Sequence, residues 1–225
     1  MKNYKIFIQA RIRSSRLPGK ILFNFFGEKV IDRVIRVTKK VNSTRNIFLL
    51  TGNKGDISIL KDVAKQHKIN FFSGDENNVL QRFCSLIKKK KFINTHILRI
   101  TSDNYLIQPN IIKKFVNIYF KSKSQYMHVK PLSHFVGEIV SSELLINHYN
   151  NNPSKMSKEH VTWDIREKLK VKKKALGSNF FKVNHKKRIV LDTISDLELM
   201  KKLEKNHPSL KKLNCINELK KIRVA

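Results

Sequence analysis

Cysteine is scarce in this chain of 225 residues, which contains only Cys84 and Cys215. The two residues lie far apart and outside any Cys-x-x-Cys spacing, which excludes a disulfide framework and gives no support to a cysteine zinc site. Long apolar runs are also missing, since none approaches the roughly 18 residues that a membrane-spanning helix needs. The first residues lack the apolar stretch and cleavage site of a signal peptide, so we expect a cytoplasmic protein.

Acidic residues are the third shortage. The chain has 17 Asp and Glu against 47 Lys and Arg, which gives a formal net charge of +30. Such a balance favours anionic partners such as nucleic acid, nucleotides or an anionic membrane surface. Many lysines lie outside any motif, and the run at 88–91 ends a predicted helix, where cations complement the helix dipole. The charge therefore predicts anion binding without selecting the anion.

Short apolar segments alternate with amphipathic ones over the first 120 residues, which is typical of an α/β fold with a largely parallel sheet. We predict strands at 4–9, 46–51, 70–73 and 96–101, and helices at 30–41, 56–68, 78–90 and after Pro109. Proline favours this last start because its backbone is preset for a first helical turn.

The second half of the chain is less regular. We predict strands at 126–129, 137–140 and 188–191, helices at 141–150, 157–169 and 195–205, and a basic linker before the last strand. Ser195 followed by Glu198 resembles a capping box for the last helix. No internal repeat or low-complexity linker divides the chain, so we expect a single domain.

Four cations follow the first predicted strand within ten residues: Arg11, Arg13, Arg16 and Lys20. Ligands of open α/β sheets lie at the carboxyl ends of the strands, so this loop could wrap a triphosphate and stabilise charge during phosphoryl chemistry. A solvated basic loop is the alternative. The segment is not a Walker P-loop, because Ser14 occupies the position of its first glycine and Ile21 that of its magnesium-binding hydroxyl.

Two carboxylates also follow predicted strands. Asp103 comes after the strand at 96–101, and Asp192 after the strand at 188–191. Brought together by the sheet, they could hold Mg²⁺, which prefers oxygen ligands and bridges substrate phosphates. Each aspartate alone could instead cap a helix or a turn.

Five segments of the chain, spanning residues 4 to about 205, together resemble the sugar cytidylyltransferases. They read Ile-Gln-Ala-Arg to Ser-Ser-Arg-Leu-Pro-Gly-Lys at 8–20, Gly-Asp-Glu-Asn-Asn-Val-Leu-Gln-Arg-Phe at 74–83, Arg-Ile-Thr-Ser-Asp at 99–103, Glu-His-Val-Thr at 159–162 and Leu-Asp-Thr-Ile-Ser-Asp-Leu-Glu-Leu at 191–199. The branch they resemble is the spore coat polysaccharide biosynthesis type, which is related to the CMP-Kdo and acylneuraminate cytidylyltransferases.

The resemblance implies a Rossmann-like nucleotidyltransferase fold of the GT-A type, with three α/β/α layers around a mixed, mostly parallel sheet. It implies one domain over residues 1–225, in which 126–187 form an acceptor-side or dimerisation insert. It assigns catalysis to Arg11, Lys20 and Asp103, metal binding to Asp103 and Asp192, and acceptor binding to Glu138 and His160. The nucleotide-binding residues that it implies are Gln9, Ala10, Arg11, Ser14, Arg16, Lys20, Gly74, Asp75, Arg82 and Thr101.

The activity implied by the resemblance is magnesium-dependent transfer of CMP from CTP to a sugar, of the nonulosonic-acid type, with release of pyrophosphate for surface polysaccharide synthesis. The implied partners are CTP, a sugar acceptor that can be acidic, and a second copy of the chain in a homodimer. The sequence departs from the family at Arg13, where glycine is usual, at 104–105, where Cys-Pro is usual, and at 134–136, where Gly-Leu-Asp is usual. The resemblance is therefore weakest in the region expected to bind the acceptor sugar, and it does not identify that sugar.

Three alternatives remain open. The same fold could use another nucleoside triphosphate or a sugar phosphate. A basic nucleic-acid-binding protein is a different class, although no recognition module is visible and we expect no specific nucleic acid partner. His160 could be a structural histidine, since one histidine without a partner identifies no role.

Overall fold

Short apolar runs form the strands of this protein, whose computed structural model describes residues 2–52, 54–130, 135–177 and 190–214. In chain order the strands are β1 (Tyr4–Gln9), β2 (Asn24–Phe25), β3 (Glu28–Lys29), β4 (Ile47–Thr51), β5 (Asn70–Ser73), β6 (His96–Thr101), β7 (Tyr126–Val129), β8 (Glu138–Ser141) and β9 (Lys173–Leu176). β2 and β3 form a separate antiparallel hairpin, and the other seven form one sheet in the order β5-β4-β1-β6-β8-β7-β9.

The sheet is mixed and mostly parallel. β1 lies between β4 and β6 and pairs with both in parallel, and β4 pairs with β5 in the same way. β8 is antiparallel to β6 and to β7, while β7 and β9 are parallel. The carboxyl ends of β5, β4, β1 and β6 therefore meet at one edge, which is where open α/β sheets bind ligands.

Eight helices pack on the sheet in the described part of the chain: α1 (Val30–Lys39), α2 (Ile57–Gln66), α3 (Val79–Lys89), α4 (Pro109–Ser122), α5 (Ser142–Asn150), α6 (Lys155–His160), α7 (Trp163–Glu167) and α8 (Ile194–Asn206). One buried cluster joins α1, α2, α4 and α8 to the face of β1 that carries Ile6 and Ile8. A second cluster joins α3, α5 and α7 to the face that carries Phe7. The predicted three-layer α/β/α architecture is confirmed.

The predicted elements of the first 120 residues are all present, with ends that differ by a few residues. The single helix predicted at 157–169 is wrong, because Val161 has a φ of 58° and separates α6 from α7. The predicted basic linker contains β9, whose lysines are exposed on the edge of the sheet, as edge strands often are. None of the described helices is both long and apolar enough to cross a membrane.

The start of α8 corrects the predicted capping box. Thr193 is the N-cap residue, and its side chain and that of Asp196 exchange hydrogen bonds with each other's backbone N–H groups. The same Ser/Thr-x-x-Asp/Glu spacing occurs two residues later, which is why Ser195 with Glu198 was the wrong prediction. Of the strand predicted at 188–191, the first two residues lie outside the described residues and the last two are not in a strand.

Arg33 on α1 anchors the end of the described chain. Its side chain is fully buried, lies 5.0 Å from the ring centre of Tyr105, and donates hydrogen bonds to the carbonyl oxygens of Leu210, Lys211 and Lys212. Glu204 on α8 also accepts a hydrogen bond from the backbone N–H of Phe26. The C-terminal segment is thus bound to α1 and to the β2–β3 hairpin.

We expect Arg33→Met to lower the free energy of unfolding by about 3 kcal/mol or more, because one buried and two partly buried hydrogen bonds to backbone carbonyl groups are lost. Urea denaturation measures this loss. Arg36→Met is the matched control on the same helix: Arg36 is half-exposed and pairs with Glu28, so its replacement should cost about 1 kcal/mol or less. Equal losses in the two variants would contradict the anchoring role of Arg33.

Candidate active site

The carboxyl ends of four strands are joined by backbone hydrogen bonds that continue the sheet into the loops. Ala10 donates to the Leu50 carbonyl over 2.9 Å, and Ser102 donates to the Gln9 carbonyl over 3.0 Å. Gly74 donates to the Thr51 carbonyl over 3.1 Å. The loops after β1, β4, β5 and β6 therefore start side by side, and their side chains share one edge of the sheet.

The basic loop after β1 is closed by its own hydrogen bonds. The N–H of Gly19 donates to the Ile12 carbonyl over 2.9 Å, and the buried Ser14 hydroxyl accepts from the Leu17 N–H over 3.4 Å. Asp56, buried at the start of α2, accepts the N–H of Ile12 over 2.7 Å. Sequence reasoning missed this residue, although an aspartate at a helix start in a chain poor in acids was a visible signal.

Arg13, which stands where the family usually has glycine, lies against Gly55. A Cβ atom on Gly55 would lie only 2.6 Å from Nη2 of Arg13. The Arg13 side chain therefore packs against the loop that contains Gly55, where a larger residue than glycine would collide with it.

Lys20 brings the two predicted metal ligands together. Its Nζ lies 2.6 Å from Oδ2 of Asp103 and 2.9 Å from Oδ1 of Asp192, and the lysine is only 5% exposed. Nη2 of the exposed Arg16 lies 2.5 Å from the other oxygen of Asp192. Because Gly19, with a φ of 72°, turns the chain into a short 3₁₀ turn at 20–22, the lysine enters the sheet edge from the basic loop.

The donor set at this cluster suits a hard divalent cation. Two carboxylate oxygens converge on one positively charged nitrogen, and oxygen ligands are those that Mg²⁺ and Mn²⁺ accept. Within the described residues no group of three or more His, Cys, Asp or Glu forms a metal site. The chain thus offers Asp103 and Asp192, and a cation here would take its remaining ligands from water and phosphate oxygens.

The turn after β5 is built around Arg82 and Asp75. Arg82 is buried and donates from Nε and Nη2 to the Asp75 carbonyl over 2.9 and 2.6 Å, and burial lowers the pKa of its guanidinium to about 10. Asp75 accepts the N–H groups of Asn77 and Asn78. A Cβ on Gly52 would lie 2.3 Å from the Asp75 carbonyl oxygen, so the turn packs directly on the end of β4. Contacts of this segment with a nucleotide remain a prediction.

Glu138 occupies the centre of a buried polar cluster. Arg99 and Thr162 donate to its Oε2 over 2.8 and 2.5 Å, and Tyr126 and Arg166 donate to its Oε1 over 3.0 and 3.2 Å. Burial alone would raise the pKa of Glu138, but these donors together hold it below its usual value. Both carboxylate oxygens are thus occupied by protein groups, which favours a structural position for Glu138 over direct contact with an acceptor.

The remaining predicted residues lie around the same edge. Arg11 is exposed, and Thr101 accepts a hydrogen bond from Asn104 over 2.8 Å. Gln9 accepts from Arg99, as described below. His160 at the end of α6 has much of its surface exposed to solvent. Partial desolvation of its ring, together with the nearby Arg99, Arg166 and Arg11, lowers the pKa of His160 against the influence of Glu159.

The sequence model of the family described as cytidylyltransferase matches residues 6–222 of the chain. The chain belongs to the cytidylyltransferase family. It is accordingly a nucleotidyltransferase, as the resemblance implied.

Two relatives illustrate the sequence similarity of the chain to proteins of named function. The spore coat polysaccharide biosynthesis protein SpsF of Bacillus subtilis is 30% identical over 173 residues, which cover 74% of this chain and 71% of that protein. The 3-deoxy-manno-octulosonate cytidylyltransferase of Blochmanniella floridana is 24% identical over 222 residues, which cover 90% of this chain and 84% of that protein.

Solved structures share the fold of this cytidylyltransferase. A cytidylyltransferase from Leptospira borgpetersenii superimposes with a TM-score of 0.76 at 21% identity and covers all of both chains. Rv0371c from Mycobacterium tuberculosis, in complex with manganese, superimposes with a TM-score of 0.65 at 12% identity and covers 88% of this chain and 98% of that one. At these identities the likeness confirms the Rossmann-like nucleotidyltransferase fold.

We expect Asp56→Ala to loosen the basic loop of this cytidylyltransferase, because the Ile12 N–H loses its acceptor. The Ile12 amide should exchange with deuterium roughly tenfold faster or more, which corresponds to a loss of about 1.4 kcal/mol of local stability. Native-state hydrogen exchange followed by NMR measures this change. Asp62→Ala, an exposed position on α2, is the control and should leave the Ile12 exchange rate unaltered. An unchanged exchange rate of Ile12 in Asp56→Ala would show that Asp56 does not stabilise the basic loop.

Proposed function

We propose that this protein is a CTP-dependent sugar cytidylyltransferase, which makes a CMP-activated sugar and pyrophosphate for surface polysaccharide synthesis. The observation that carries the proposal is the convergence of Lys20, Asp103 and Asp192 beside the exposed cations of the basic loop. The names of the relatives add support, since one acts in spore coat polysaccharide biosynthesis and another is a 3-deoxy-manno-octulosonate cytidylyltransferase.

In the proposed reaction a sugar hydroxyl attacks the α-phosphorus of CTP. A new oxygen–phosphorus bond forms, the bond from the α-phosphorus to the bridging oxygen breaks, pyrophosphate leaves, and the hydroxyl proton passes to water. The protein's part is positioning and charge stabilisation, as in other phosphoryl transfers. Arg11, Arg16 and Lys20 supply positive charge for the triphosphate, and Arg11 is exposed at the sheet edge and so accessible to a ligand.

Asp103 and Asp192 would hold the catalytic divalent cation, which we propose is Mg²⁺. When bound, such an ion neutralises charge on the phosphate oxygens and on the leaving pyrophosphate. Lys20 pairs with the same two carboxylates in the structure, so the lysine and the cation compete for them. We infer that Lys20 moves from the carboxylates to the phosphates when the substrate binds.

The acceptor side is proposed to lie in the segment 126–187, which contributes β7, β8 and β9 beyond β6. His160 is exposed there, and the positive charges of the nearby Arg166, Arg99 and Arg11 suit an acidic sugar. We also propose that this segment supplies the surface of a homodimer, an expectation that rests on the family resemblance alone.

We expect CTP with Mg²⁺ to raise the melting temperature more than GTP, UTP or ATP does, because a ligand that binds the folded state stabilises it. The measurement is a thermal shift series at equal nucleotide concentrations. A larger shift with another nucleotide would move the proposal to the alternative in which the same fold uses that nucleotide.

We expect Asp103→Asn to reduce pyrophosphate release by about a hundredfold or more, because one metal ligand loses its charge. The assay supplies CTP with a panel of nonulosonic acids, 3-deoxy-manno-octulosonate and neutral sugars. Asp62→Asn on the exposed side of α2 is the control with the same chemical change. Turnover in Asp103→Asn equal to that of the control would remove the carboxylate pair from the mechanism.

We expect Lys20→Met to bind Mn²⁺ on the order of tenfold more tightly in the absence of nucleotide, since a charged hydrogen bond worth about 1.5 kcal/mol or more no longer competes. The same variant should bind CTP more weakly, because a cation for the phosphates is lost. Electron paramagnetic resonance of free Mn²⁺ gives the metal affinity. Exposed Lys29→Met controls for the change in net charge, and Mn²⁺ binding that is unchanged or weaker in Lys20→Met would refute the competition.

A further inference from the structure

We propose that Glu138 is a positioning residue, whose buried carboxylate fixes Arg99 and, through Arg99, orients the carboxamide of Gln9 at the entrance to the basic loop. This inference rests on the proposed function for its effect on the nucleotide. The sequence resemblance assigned Glu138 to the acceptor, and the geometry gives it a different task.

The three residues form a continuous row across adjacent strands. Glu138 on β8 is the direct register partner of Arg99 on β6, and β6 lies next to β1, whose last residue is Gln9. Nη1 of Arg99 donates to Glu138, while its Nε and Nη2 donate to Oε1 of Gln9 over 3.3 and 3.1 Å. The arginine therefore binds a carboxylate on one side and an amide oxygen on the other.

The donors of Arg99 decide which way the Gln9 amide faces. A guanidinium has only donors, so Gln9 has to present its oxygen to Arg99. The amide nitrogen Nε2 is then held on the other side of the same group, as a donor for a ligand oxygen. Gln9 directly precedes Ala10 and the basic loop, so this donor lies where the proposed nucleotide enters.

Glu138 itself is shielded from any ligand. It is 2% exposed, and four side chains already donate to its two oxygens. The preceding Gly137 has a φ of 79°, and a Cβ there would lie 2.1 Å from the Arg99 carbonyl oxygen. This close approach, which only glycine permits, brings β8 into register with β6 and places Glu138 beside Arg99.

Removing the negative charge of Glu138 should therefore change the orientation of the Gln9 side chain. Arg99 is largely buried, with 12% of its side chain exposed, and a neutral partner leaves its charge poorly compensated. The guanidinium can then shift towards water and release the amide of Gln9. Residues that act through a shared partner give non-additive effects in a double-mutant cycle.

Asp164 offers a matched control. It is a second buried carboxylate, which accepts hydrogen bonds from Ser154 and pairs with Lys168, while its backbone N–H donates to the Ser157 hydroxyl. Burial would raise the pKa of Asp164, but its hydrogen bonds, those from Ser154 first, keep it at about 2. None of these partners is Arg99 or Gln9. Asp164→Asn should thus lower stability as Glu138→Gln does, without reaching the nucleotide site.

The experiment measures the dissociation constant of CTP in the presence of Mg²⁺ by isothermal titration calorimetry. We expect Glu138→Gln and Gln9→Ala each to raise the dissociation constant of CTP. In the double variant the fold increase should be smaller than the product of the two single increases, by a factor of about three or more. Asp164→Asn combined with Gln9→Ala should show no coupling. Additive effects of Glu138→Gln and Gln9→Ala would overturn the inference.

A second readout needs no ligand. In ¹⁵N-labelled protein, Glu138→Gln should shift the Arg99 Nε–H resonance and speed its exchange with water, whereas Asp164→Asn should not. Equal behaviour of the two variants would overturn the positioning role. Should Glu138→Gln fail to fold, Arg99→Lys serves instead, because lysine keeps the charge beside Glu138 but lacks the planar fork that also reaches Gln9; additivity of Arg99→Lys with Gln9→Ala would be equally decisive.

Failure of the proposed function gives a different result. If the wild-type protein does not bind CTP, the cytidylyltransferase proposal falls, and with it the effect on the nucleotide. If the wild-type protein binds CTP and the cycle is additive, only the role of Glu138 falls.

Discussion

The ion pairs of Lys20 tie together three distant parts of the chain. Residues 20, 103 and 192 come from the loop after β1, the loop after β6 and the segment before α8, and one buried ammonium group contacts carboxylates of both others. Two aspartates this close repel each other unless a cation lies between them. Lys20 supplies that positive charge in the structure, and the proposed metal ion would supply it in place of the lysine.

Parallel strand order explains why much of this arrangement could be predicted. A strand followed by polar residues places those residues at the carboxyl edge, so Arg11, Lys20 and Asp103 could be assigned to one edge from the order of elements alone. Asp192 was also placed by a predicted strand, but the two described residues before it are not in one. The sequence motif around Asp192 was therefore the better guide to its position. The first 120 residues were the more predictable half because their main strands alternate regularly with amphipathic helices.

Contacts between distant elements were less predictable. The pairing of Glu138 with Arg99 depends on an antiparallel register between β8 and β6, which hydrophobic periodicity does not determine. Asp56 was hidden because an aspartate before a helix also suits a cap. β9 was missed because its lysines made an edge strand resemble a linker. In each case the sequence showed the residue but not its partner.

The capping box at the start of α8 has a consequence for the order in which the enzyme is assembled. Asp196 accepts the backbone N–H of Asp192 over 2.9 Å, so the second carboxylate takes its place only when α8 has formed. Glu204 then holds α8 to the backbone of Phe26, and Arg33 holds the segment that follows the helix. During synthesis on the ribosome, the basic loop and Asp103 emerge long before α8 does. Until α8 has left the exit tunnel, the nascent chain therefore holds Lys20 and Asp103 without the second aspartate that completes their cluster.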